Sequence, residues 1–207
     1  MELMSYLSDE EKAERIKQWW SENAAAIIGG LAIGIAGLFG WNWWTDRQDS
    51  RAEMASELYT AALSHAGAGQ YTQAAAVVAE LTERGRGTPY VAMGWAIVAD
   101  VAVRQEDHQR AIHALEQARE TAQDRGYRQV VTLRLARHLV SADRLDEAEA
   151  LVAEVESEAF AGLRAEARGD IARARGDSER ARQYYEEALA AGHNTEFLRL
   201  KLDELSA

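Results

Sequence analysis

Histidine is the side chain best suited to ligate a metal or to move a proton near neutral pH, and this chain has five: His65, His108, His113, His138 and His193. No two stand three or four residues apart, the spacing that sets two ligands on one helix face, so the sequence offers no metal site. They read as surface or repeat-filling residues. Cysteine is absent, which removes disulfides, zinc thiolate centres and thiol nucleophiles; it permits an oxidising compartment without requiring one. There is no Gly-rich phosphate loop, GxSxG elbow or HExxH. Adjacent acids such as Glu186 and Glu187 belong to a solvent-facing helix surface. Arg168-Gly169-Asp170 and Arg175-Gly176-Asp177 spell an adhesion tripeptide twice, but Gly169 occupies a small packing position and Gly176 a turn between helices. Neither is assigned a recognition role. The reading is a chain that is not an enzyme, with no catalytic residue, cofactor or small-molecule substrate.

What the elements must position is then a surface. Ala, Leu, Glu, Arg and Gln dominate after residue 50, proline occurs once, at Pro89, and aromatic content is 8%. These are strong helix formers, and they predict an all-α protein. The net charge is -11, divided into -3 up to the end of the longest apolar stretch and -8 beyond it. No basic surface is concentrated enough to bind phosphates, so nucleic acid is excluded as a partner.

The apolar stretch is WWSENAAAIIGGLAIGIAGLFGWNWW, and no charge occurs from Asn23 through Thr45. Residues 24–44 make a helix of about 32 Å at 1.5 Å per residue, which matches a hydrocarbon layer of about 30 Å. Five of the six tryptophans bracket it: Trp19 and Trp20 on one side, Trp41, Trp43 and Trp44 on the other. Indole favours the interface, because its ring is apolar while its N–H needs a partner. A signal peptide would open on a basic segment and end on a small-residue cleavage site, whereas this leader is acidic and the exit reads GWNWWTD. The stretch is therefore expected to be a retained span in a lipid bilayer. Gly30 and Gly34, in GxxxG spacing, and Gly37 thin one side of it, which suits close helix packing in lipid. Lys12, Arg15 and Lys17 before the span against Arg47 and Arg51 after it weakly favour an N-terminus on the inside. Ser8 with Glu11 forms a capping box, so the leader starts the same helix.

Behind the span the chain repeats. GQYTQAAAVVAEL, EDHQRAIHALEQA, DRLDEAEALVAEV and GDSERARQYYEEA align on Ala74, Ala111, Ala148 and Ala181. Twelve residues before each stands another small residue, Ala62, Ala99, Ala136 or Gly169; four after stands Val78, Leu115, Val152 or Tyr185; seven after stands Leu81, Ala118, Val155 or Ala188. Small residues at this spacing let two antiparallel helices approach, and the larger ones fill the seam to the next pair. This is the pattern of a helix-turn-helix solenoid and resembles the tetratricopeptide repeat. Trp95 alone stands where an early tryptophan is expected, and no repeat has the closing proline.

The spacing predicts helices near 9–47, 51–66, 70–83, 90–104, 107–123, 127–141, 144–156, 160–175, 178–191 and 195–205, with Leu198, Leu202 and Leu205 capping the open end. The fold class is all-α: a single N-terminal transmembrane helix and a tetratricopeptide-like solenoid of about four helix pairs. The divisions are 1–23 as leader, 24–44 as span and 45–207 as the repeat domain. A solenoid presents a concave surface from the first helix of each pair. The spacing puts Tyr59, Leu63, Met93, Asp100, Arg104, Leu133, Arg137, Asp170 and Arg173 near it, a mixture of apolar and charged groups suited to an extended peptide or a partner helix.

AERIKQWWSEN, the span ending GWNWW, TLRLARHLV, RGDIARARGDSERARQYYEEAL and LKLDELSA, spread over nearly the whole length, carry a further likeness. The chain resembles the ancillary subunit of the bacterial Sec translocon. That resemblance implies a short cytoplasmic N-terminus, one signal-anchor span in the inner membrane and a periplasmic tetratricopeptide-like domain. It also implies association with the translocon channel and with periplasmic chaperones, so that emerging proteins are handed on. The alternative is an adaptor of another cell-envelope complex. The glycine ridge leaves the channel, self-association or lipid as its neighbour.

Overall fold

In the computed structural model, which describes residues 9–205, the chain divides into two units, one ending at Ser50 and one beginning at Arg51. Ser8, half of the expected capping box, lies outside the described residues. The first helix, α1, runs Asp9–Gly67. Two helices were expected here, parted between residues 47 and 51. The helix continues because Gln48-Asp49-Ser50 contains neither glycine nor proline, and Arg51, Ala52 and Glu53 favour helix.

In the first unit the helix is apolar on every side across the uncharged stretch. Ile33, Leu38 and Phe39 are each about three-quarters exposed. It is long and apolar enough to cross a membrane. Its polar edges are closed locally: Asn23 Nδ2 donates to Trp19 O at 2.8 Å, and Thr45 Oγ1 donates to Asn42 O at 2.9 Å. The Trp41 and Trp44 rings lie 5.5 Å apart, tilted to one another, and the Arg47 guanidinium lies 5.7 Å from the Trp43 ring, so the first cation after the stretch rests on its aromatic edge.

The second unit holds four helix pairs and a closing helix. Residues 51–67 of α1 pair with α2 (Tyr71–Arg84), α3 (Tyr90–Arg104) with α4 (His108–Thr121), α5 (Arg125–Ser141) with α6 (Leu145–Ala153), and α7 (Ala161–Ala174) with α8 (Ser178–Ala190); α9 is Glu196–Glu204. A 3-10 turn, Glu158–Phe160, leads into α7. All sixteen repeat positions named above are buried, so the spacing marks the core. In three repeats the small residue is alanine facing valine or leucine. In the fourth it is Gly169, because Tyr185 fills its space: a Cβ there would lie 3.1 Å from Tyr185 Cζ and closer still to Cε1 and Cδ1.

The turn inside each pair is the same object four times. The residue seven after the small position has positive φ: Gly69, Glu106, Asp143 and Gly176. The next backbone N–H donates back to the carbonyl five residues earlier: Gln70 to His65, Asp107 to Ala102, Arg144 to Leu139, Asp177 to Ala172, at 2.9–3.0 Å. This is the Schellman closure of a helix C-terminus. The irregular spacing therefore falls in the connections between pairs, where α2 to α3, α4 to α5 and α6 to α7 differ in length.

Candidate protein interaction surface

The first helices of the pairs, α1 after residue 51, α3, α5 and α7, carry the residues expected on the concave surface. Tyr59 is half-buried, its ring 5.5 Å from Tyr90. Leu63 is 44% exposed, an apolar side chain in water on the same helix face one turn on. Met93 is half-buried. Asp100 forms an ion pair with Arg134, and both bear on the half-buried Tyr127, whose phenol is pushed up by burial, pulled down by Arg134, and raised again by Tyr59 and Asp100. Asp100 and Arg134 thus join the second and third repeats by an ion pair, with Tyr127 in their field. Arg137 is exposed on the same face, its charge felt by Glu166.

The other expected residues are placed differently. Arg104 donates to the Ala66 carbonyl at 2.6 Å, closing the end of α1. Arg173 pairs with Glu204 of α9 at 3.1 Å. Leu133, 6% exposed, and Asp170, 8% exposed, are interior residues. Leu133 belongs to the main core, and α9 covers Asp170. Tyr90, Tyr127 and Arg134 were not among the expected residues. Arg134 stands two residues before the small position Ala136.

At the covered end, Lys201 of α9 is buried and donates to Glu166 Oε1 at 2.8 Å and to the two Asp170 oxygens at 2.6 and 2.8 Å. Tyr185 OH donates to Asp170 Oδ1 at 2.8 Å, and His193 Nε2 lies 2.8 Å from Glu166 Oε2. Burial would raise the Glu166 pKa, but the Lys201 bond and charge and the His193 bond outweigh it and hold the carboxyl below its usual range. Burial and the neighbouring Asp170 charge push the Tyr185 phenol well up. Lys201, Tyr185 and His193 thus satisfy the oxygens of both carboxylates and tie α9 to α7 and α8.

Of the remaining histidines, the rings of His108 and His138 lie 6.5 Å apart, tilted to one another; burial, then Arg134, His108 and Arg137, lower the His138 pKa. His113 meets Trp95 edge-on at 6.3 Å. Among the described residues no three His, Asp or Glu side chains are arranged to hold a metal. In the first unit, a Cβ at Gly30, Gly34 or Gly37 would meet nothing within 4 Å, so packing inside this chain does not demand glycine there.

The sequence matches the family described as a tetratricopeptide repeat-like domain over residues 17–207. It is 30% identical over 211 residues to a protein named ancillary SecYEG translocon subunit from Aggregatibacter actinomycetemcomitans, covering 98% of this chain and all of that one. A protein of the same name from Haemophilus influenzae is 28% identical over 205 residues, again 98% of this chain and all of the relative. One from Escherichia coli K12 is 27% identical over 165 residues, 80% of this chain and 79% of the relative.

Proposed function

From the premise that this chain belongs to the tetratricopeptide repeat-like domain family and, within it, to the ancillary SecYEG translocon subunits, we propose that it is a non-enzymatic scaffold held beside the Sec translocon channel in a bacterial inner membrane. The observation that carries this is the extent of the match: two relatives of that name align over their full length, span and repeats together. A span followed by a repeat domain suits such a role, because the anchor confines a binding surface next to the channel and raises its effective concentration there.

Residues 1–23 are cytoplasmic, 24–44 cross the membrane, and 45–207 lie in the periplasm. The first-helix face, around Tyr59, Met93, Asp100, Tyr127, Arg134 and Arg137, engages a periplasmic chaperone, so that proteins leaving the channel are handed on. Tyrosine and arginine are the residue types that most often dominate protein interfaces, which supports that face over the acidic remainder. Gly30, Gly34 and Gly37 pack the span against a neighbouring helix, the channel's or that of a second copy.

Mild detergent extraction followed by affinity purification tests the association: the channel is expected to co-purify, and recovery of the chain alone under cross-linking would overturn it. Protease added to spheroplasts tests the topology. Digestion of the repeat domain is expected, and cleavage confined to residues 1–23 would reverse it and remove the chaperone reading.

A further inference from the structure

The duplicated Arg-Gly-Asp tripeptides place Arg168 on α7 and Arg175 seven residues on, at its C-terminal cap, hence about two turns further along the same side. Both line a cavity of about 260 Å³ between α6, α7 and α8. Its arginines are not equivalent. Arg175 is held by Asp146 and Glu149, each at 2.7 Å, and Arg180 lies 3.5 Å from Asp177. Arg168 has no hydrogen bond or ion pair among the described residues, and neither has the hydroxyl of the half-buried Tyr184, which lines the same cavity. The buried Ile171 adds an apolar wall. The cavity therefore carries two uncommitted donors, one of them cationic, above an apolar surface.

We propose that this cavity receives a single carboxylate from a polypeptide partner, with the Arg168 guanidinium and the Tyr184 hydroxyl as its donors. Arg168 is the one arginine here without an acidic partner, so one carboxylate can pair with it, whereas a dianionic phosphate would add further negative charge beside Glu149 and Asp177, which with Asp146 already match the three arginines in number. The volume is below the range of cofactor pockets and suits one side chain or one chain end. The chain as a whole carries -11, so its long-range field gives a carboxylate no help. Saturable binding would have to come from this local pair. The site lies apart from the first-helix face and does not depend on the function proposed for it.

The test is NMR of the full detergent-solubilised chain, following the Arg168 side-chain N–H and the Tyr184 ring. The probes are acetyl-Gly-Glu-Gly-amide, with a side-chain carboxylate only; acetyl-Gly-Gly-Gly, with a terminal carboxylate only; acetyl-Gly-Gln-Gly-amide; and inorganic phosphate. At least one carboxylate probe is expected to give a saturable shift, and which one identifies the source. Arg168→Gln and, separately, Tyr184→Phe are each expected to weaken it roughly fivefold or more, with circular dichroism unchanged. Tyr184→Phe keeps the ring and so preserves the packing if Arg168→Gln disturbs the fold. Four results would overturn the proposal: no saturable shift, an equal response to the glutamine peptide, tighter binding of phosphate, or a response that survives both substitutions.

Discussion

Tyr185 occupies the volume that a side chain on Gly169 would need, and it is the only aromatic residue among the four at its repeat position. The two are exchanged together relative to the Ala–Val and Ala–Leu pairs of the other repeats, so the fourth repeat keeps the helix spacing by moving bulk from one helix to the other. Gly169→Ala is therefore expected to destabilise the repeat domain by about 1–3 kcal/mol through overpacking. In a double-mutant cycle, Tyr185→Leu should relieve part of that cost, as seen in the urea midpoint of the full chain; strict additivity would count against the pairing.

Lys201 is the counter-charge for two buried carboxylates. Lys201→Met should cost about 3–5 kcal/mol, because it strands Glu166 and Asp170. Neutralising both in Lys201→Met/Glu166→Gln/Asp170→Asn should recover a large share. A thermal melt of the three proteins decides this, and a triple variant no more stable than the single one would refute the charge argument.

The same cluster sets two pH limits. Glu166 has a lowered pKa, so its contribution is present above the ordinary carboxylate pKa and is lost as pH falls through the lower folded value. Tyr185 has a raised pKa, so its contribution is present below the ordinary phenol pKa of 10.0 and declines as pH rises above it. Melting temperature against pH should fall at both ends, with Glu166→Gln flattening the acid limb and Tyr185→Phe the alkaline one.

Glu106 and Asp143 sit at the left-handed turn position that Gly69 and Gly176 fill in the outer repeats. Glu106→Gly should stabilise by about 0.5–1 kcal/mol, since the relief of left-handed strain exceeds the entropy glycine gains in the unfolded chain. Asp143→Gly should give less, because aspartate tolerates that conformation better. Shifts of the urea midpoint at constant slope would register both.

Arg137 and Leu133 lie on one helix but have different jobs. Arg137→Gln should leave stability within about 0.5 kcal/mol and reduce partner cross-linking if the first-helix face is the interface. Leu133→Ala should cost about 2–5 kcal/mol. Unchanged cross-linking in Arg137→Gln would move the interface elsewhere.

The sequence by itself determined the helix pairs, the sixteen core positions and the uncharged, tryptophan-bracketed stretch. These depend on spacing within one helix or one turn, where 3.6 residues per turn fixes which side chains share a face. It also contained the Gly169–Tyr185 exchange, visible as a departure from the alignment. Only the tertiary structure decided which of the expected surface residues are exposed. Leu133 is buried by its neighbours in the stack, and Asp170 is claimed by Lys201, thirty-one residues on. That Arg168 lacks an acidic partner among the described residues could not be read either, because the cavity beside it is made by three helices at once. Periodicity reports the direction a side chain takes from its own helix axis, whereas exposure and charge pairing depend on what the neighbouring helices bring to meet it.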